Sequence, residues 1–138
     1  MRVTRPGRLA APLLAALITL LVACGSRSAS NASSRPRSNA QLQIVNPVPN
    51  AVTTPTFTLQ FSLEGATVSA PTALKPAPNQ GHIHVSIDGK LISMSYGLTQ
   101  PVNNLTSGTH TLQAEFVAND HLPFENRVLT AVVFSVKG

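Results

Sequence analysis

The chain has few of the groups that do covalent chemistry. Tryptophan is absent, tyrosine and cysteine occur once each, and only five acidic residues are spread over 138 positions. A single cysteine cannot close an internal disulfide. The acids are too few and too dispersed to form the carboxylate pair of a glycosidase. No serine stands in a nucleophile elbow, and no glycine-rich run is built to cradle a phosphate. No apolar run reaches the roughly 20 residues that cross a bilayer. No stretch carries the apolar stripe of an amphipathic helix, and no internal repeat appears. One small domain also offers less depth than active sites usually need. A hydrolase or accessory enzyme domain is therefore the least favoured reading.

What is present begins at the N-terminus. Arg2, Arg5 and Arg8 form a basic start, and Leu9 to Ala23 is apolar apart from Thr19. At about 15 residues this run suits the apolar region of a secretory signal. It ends in Leu21-Val22-Ala23-Cys24, followed by Gly25-Ser26. The stretch resembles the lipobox of bacterial lipoproteins. The resemblance implies a signal peptide over 1–23, cleavage before Cys24, and lipid on the Cys24 sulfur and its new amino group. The thiol is the nucleophile that takes the lipid. Several acyl chains anchor stably where one gives only marginal binding. The expected location is the cell envelope, with the chain tethered to a bacterial membrane and the domain on the extracytoplasmic side.

Residues 24–40 are expected to be the lipidated cysteine and a flexible tether. GSRSASNASSRPRSNA has no large apolar residue and cannot offset its ordering entropy by burial. From Gln41 onward four lysine and arginine residues face five acids, a net charge of −1. The +5 of the whole chain comes from the signal and the tether, so it is no argument for nucleic acid binding.

Residues 41–138 read as one domain of strands with period-two alternation. TFTLQFSL, 56–63, puts Phe57, Leu59, Phe61 and Leu63 on one face. HIHVSI, 82–87, and KLISMS, 90–95, flank Asp88-Gly89, the signature of a type I′ hairpin. A two-residue loop would pair Ile87 with Lys90, Val85 with Ile92 and Ile83 with Met94. It would also pair His84 with Ser93 and His82 with Ser95. Further strands are expected at 41–45, weakly at 101–105 with Pro101 marking an edge, at 109–117 and at 127–136. Leu112, Ala114, Phe116, Val132, Phe134 and Val136 would point inward. About seven strands in a domain of this size suggest an all-β antiparallel sandwich, with a small closed barrel as the alternative. The NPVPNA turn, the SGTHTL stretch and the final VVFSV strand resemble bacterial immunoglobulin-like domains. The Cys–Trp–Cys pin of antibody domains is missing, which leaves the sheets to hydrophobic packing.

The immunoglobulin-like order makes a local forecast. It sets 82–87 and 109–117 side by side and antiparallel. His82, His84, Glu115, Asp120 and His121 would then gather at one end, and His110 would lie at the other end, facing inward. Histidines two apart on a strand share a face at roughly 6.5–7 Å. Copper or zinc would suit such imidazoles, with a further ligand from His121 or a carboxylate. A plain polar sheet face is nonetheless the favoured reading of GHIHVSIDGK, with the metal site the alternative, and His110 is expected to hydrogen-bond locally. Gly81-His82-Ile83-His84, Gly108-x-His110-x-Leu112 and Asp120-His121-x-Pro123 are similar to a family of small exported bacterial domains. That family implies no activity, and Ile83 interrupts its richer histidine run. The Pro-rich loop 68–81 lies beside the forecast cluster, where long loops are often functional. The leading reading is a membrane-anchored, non-catalytic binding or structural module for an unknown protein or ligand; the alternative is an envelope copper or zinc binder using His82, His84 and His121. A His121–His82 separation beyond about 12 Å would exclude the second, since metal–nitrogen bonds are about 2 Å.

Overall fold

The computed structural model describes residues 35–70 and 75–138. The signal sequence, Cys24, the tether up to residue 34 and residues 71–74 of the Pro-rich loop lie outside the described residues. No helix among the described residues is long and apolar enough to cross a membrane.

Alternation produces strands wherever the sequence keeps it. The described residues form nine: β1 (Gln41–Asn46), β2 (Val52–Thr53), β3 (Phe57–Glu64), β4 (Thr67–Val68), β5 (Gln80–Ile87), β6 (Lys90–Ser95), β7 (Thr99–Val102), β8 (Gly108–Ala118) and β9 (Pro123–Val136). One sheet runs β1-β3-β7, and the other runs β2-β9-β8-β5 with β4 and β6 beside β5. Consecutive neighbours are antiparallel except for the short parallel pairs β2–β9 and β4–β5. Three strands facing a β9-β8-β5-β6 sheet is the immunoglobulin-like sandwich order, with the sandwich expected from alternation and its order from the resemblance. β7, with Pro101, pairs only with β3 and is an edge.

The inward residues of both sheets meet in one core. Leu59, Ile83, Val85, Leu112, Ala114 and Phe116 are fully buried, and Phe134 and Val136 nearly so. Phe57 packs edge-on against Phe134, with ring centroids 5.5 Å apart.

Two features depart from expectation. Asp88 and Gly89 both have positive φ, as a type I′ turn requires, and Ile87 pairs with Lys90. Beyond Ser86–Leu91, however, a bulge takes up Ile92, so that Val85 faces Ser93, His84 faces Met94 and Ile83 faces Ser95. The forecast pairs Val85–Ile92, His84–Ser93 and Ile83–Met94 are therefore replaced. A bulge sets two residues against one and shifts everything beyond it.

The last six residues assigned to the tether lie on the domain. Ser38 is buried. Its N–H donates to Asn126 Oδ1 at 2.9 Å, and Asn126 Nδ2 donates back to its carbonyl at 2.6 Å. Asn39 N–H donates to Asn79 Oδ1 at 2.7 Å, and Arg37 lies 3.3 Å from Glu125. Polar groups make these contacts, so an apolar composition argument does not register them.

Candidate metal centre

β5 and β8 run side by side from Gly81–Ala118 to Ile87–Leu112. At the Gly81 end the ladder closes tightly: a Cβ on Gly81 would lie 1.8 Å from the Val117 carbonyl oxygen. Only glycine fits there. β8 also bulges between Phe116 and Val117 against β9. Val117, Ala118 and Asn119 are all buried, so both faces of the sheet are covered at this end.

The covering piece is the β8–β9 turn. His121 N–H donates to the Ala118 carbonyl at 2.9 Å, and Ala118 N–H to that of Leu122 at 3.1 Å. His121 takes a φ of 63°, a left-handed conformation that histidine adopts more readily than most residues. Arg35 clamps the turn. Its guanidinium donates to Asp120 Oδ2 at 2.8 Å, to Asp120 Oδ1 at 2.9 Å and to the Leu122 carbonyl at 3.0 Å, and its Nε donates to the Pro123 carbonyl. Such a planar fork is stronger and more directional than a single ion pair. It holds the Asp120 carboxyl below its ordinary range.

The turn brings three histidines together. His82 Nε2 lies 3.1 Å from His84 Nε2 and 3.0 Å from His121 Nδ1. One nitrogen of each ring falls within 4.8 Å of the other two. Rings this close are unusual partners for one another. A neutral Nε2 has either one hydrogen or one lone pair, so His82 Nε2 can make one good hydrogen bond and not two. A cation satisfies all three lone pairs together. With metal–nitrogen bonds of 2.0–2.1 Å, two ligand nitrogens stand about 2.9 Å apart at a right angle and about 3.4 Å apart in a tetrahedron. The two separations from His82, 3.0 and 3.1 Å, fall between these limits, and the third pair lies within 4.8 Å, so a bound ion would draw His84 and His121 together.

The electrostatics favour the neutral form at His82 and His84. His82 is fully buried, and its Nδ1 has no hydrogen-bond partner. Burial first, then the His84 and His121 imidazoles, push its pKa down to about 4. His84 is lowered by burial and by His121, against an upward pull from Glu115. Metals bind the deprotonated imidazole, so protons compete weakly at these two rings.

The forecast carboxylates are present but engaged. Glu115 stands directly across from His84, yet Arg127 holds both its oxygens at 2.7 and 2.6 Å. Asp120 belongs to Arg35. Among the described residues the group of potential ligands is His82, His84 and His121. His82 is buried, whereas a polar sheet face would leave it open. His110 lies apart: its Nδ1 is 2.7 Å from Asp88 Oδ2 and its Nε2 is 2.8 Å from the Thr106 carbonyl. Two participants had no signal in the sequence pattern. Arg35 arrives from 85 residues away. Tyr96, whose ring lies 5.1 Å from that of His82, shares the histidine face only because of the β6 bulge.

No family model and no curated protein matches this sequence. Among solved structures the chain is similar to a Jonesia denitrificans lytic polysaccharide monooxygenase studied by neutron crystallography, at 17% identity and a TM-score of 0.43. That match covers 66% of this chain and 60% of the other, less than two thirds of the latter's length. A likeness this distant carries no functional argument, and the site stands on its own geometry.

Proposed function

We propose that this chain is an exported, lipid-anchored metal-binding protein, in which His82, His84 and His121 hold one copper or zinc ion at the end of the sandwich. The gathering of three histidine ring nitrogens within 4.8 Å of one another carries the reading. Imidazole suits both metals, and three protein ligands leave one position for another donor. The two nearby carboxylates are each held by an arginine, so neither is free to act as a base toward a bound water. This favours binding over catalysis. The anchoring half of the proposal is supported by the basic start, the apolar run and Leu21-Val22-Ala23-Cys24. Metabolic labelling with a fatty acid would mark the chain and be lost in Cys24→Ser.

Calorimetric titration of the full chain with Zn(II) and Cu(II) tests the metal site. A Cys24→Ser background keeps the thiol from competing. One-to-one binding tighter than about a micromolar is expected, lost in His82→Ala/His84→Ala. Binding of equal strength in the parent and the double variant would refute the site.

A further inference from the structure

We infer that Met94 supplies a thioether as a fourth donor to the His82–His84–His121 centre, and that the ion this arrangement selects is Cu(I). The inference rests on the metal-binding reading above and names its metal and its missing ligand.

The observation behind it is the bulge in β6. Without it, Ile92 and Met94 would face the core opposite Val85 and Ile83, and Ser93 and Ser95 would face outward with the histidines. That is the arrangement hydrophobic burial selects, because a one-residue slip moves every side chain to the other face. The structure does the reverse. Ser93 and Ser95 stand across from the fully buried Val85 and Ile83. Ser95 is 3% exposed and turns its hydroxyl to the Gly97 carbonyl at 2.9 Å. Ile92 is left 44% exposed and Met94 40%. The slip costs apolar burial at these two positions. What it delivers is Met94 directly across from His84, and Tyr96 two residues on, against His82. Bulges recur beside functional sites, where they re-aim a side chain.

The pairing sets Met94 beside His84 on the histidine face. Directly opposed residues of an antiparallel pair have Cβ atoms about 4.5–5.5 Å apart, and the sulfur of methionine lies two bonds beyond its Cβ. The Tyr96 hydroxyl reaches the Met94 sulfur at 3.9 Å, while the Tyr96 ring packs 5.1 Å from that of His82. The sulfur is thereby tied to a residue that already forms a wall of the centre. The chain has only two methionines, and the other is Met1.

The chemistry then sorts the metals. Thioether sulfur is a soft donor that favours Cu(I), whereas carboxylate oxygen suits harder ions. Here the hard donors are withheld: Arg127 holds Glu115 and Arg35 holds Asp120. A set of three imidazoles and one thioether remains.

The test compares the full chain with its Met94→Leu form, both carrying Cys24→Ser. Leucine fills nearly the same volume and has no donor. Cu(I) affinity is measured without oxygen against a chromophoric chelator, and Zn(II) affinity by calorimetry. The expected result is a fall of at least about tenfold for Cu(I) with Zn(II) little changed. X-ray absorption at the copper edge should show a sulfur scatterer in the parent that vanishes in Met94→Leu. Equal Cu(I) affinity in the two forms, or no sulfur in the parent, would overturn the assignment. If His82→Ala/His84→Ala still abolished binding in that case, the histidine site would stand and Met94 would be only a wall. If the double variant bound as well as the parent, the site itself would fall, and Met94 with it.

Discussion

His110 and His82 are both buried beside β8, one near each end, at 7% and 0% exposure. Their surroundings differ in kind. His110 has an acceptor for each ring nitrogen, Asp88 on one side and the Thr106 carbonyl on the other. Hydrogen bonds donated to Asp88 and to the Thr106 carbonyl raise its pKa above the ordinary 6.5. His82 has a buried Nδ1 with no partner and an Nε2 facing two other imidazoles. Its pKa falls to about 4. Burial alone does not say what a histidine is for. The fully partnered ring closes a turn, since Asp88 also accepts the Thr111 N–H at 2.8 Å. The Nε2 of His82, facing two other ring nitrogens, is the atom a cation would bind.

Breaking the comparison at the metal end should have the largest effect. His82→Ala is expected to weaken Zn(II) or Cu(II) binding by more than about 100-fold, while His110→Ala leaves it within about twofold. Titration of the two variants side by side checks this. Next in size is Gly81→Ala, whose Cβ meets the Val117 carbonyl. Forcing β5 off β8 should cost about 3 kcal/mol in denaturant unfolding and loosen the centre.

The two ends should also answer pH with opposite signs. His82 falls from 6.5 to about 4 on folding. Its contribution is complete above the unfolded value of 6.5 and is lost as pH drops toward 4, by on the order of 3 kcal/mol in the metal-free chain. His110 is raised, so its contribution is complete below 6.5 and is lost as pH rises through the folded value. Stability measured against pH should show a smaller acid-side fall below pH 6.5 in His82→Leu, the remainder coming from His84 and the lowered carboxylates. It should lose its alkaline-side decline in His110→Gln. The smallest effect concerns Arg35, which touches no imidazole but clamps the turn that presents His121. Arg35→Ala is expected to weaken metal binding about tenfold, in the range of outer partners of metal ligands, with little change in unfolding free energy beyond about 1 kcal/mol.

Much of this fold could be read along the chain because the signal repeats. Phe57, Leu59 and Phe61 alternate cleanly, as do Leu112, Ala114 and Phe116, and each set is inward. The gathering of His82, His84 and His121 was legible too, since strand parity and loop ends follow from topology. Other features depend on interactions that pattern does not carry. The β6 bulge runs against hydrophobic alternation, so alternation points away from it. β2 and β4 have two residues each, too short for any period. The ordering of 35–40 rests on hydrogen bonds and ion pairs to residues 79, 120, 125 and 126. Glu115 and Asp120 looked available because Arg127 and Arg35 are distant in sequence and adjacent only once folded.

The central claim is that three particular ring nitrogens share one ion. Long-range proton–nitrogen NMR of the four histidine rings, with and without one equivalent of Zn(II), reads those atoms individually. Large shifts at His82 Nε2, His84 Nε2 and His121 Nδ1, with both nitrogens of His110 unmoved, are the result the account predicts. Unchanged spectra for the three rings, or Zn(II) appearing at His110 instead, would contradict it.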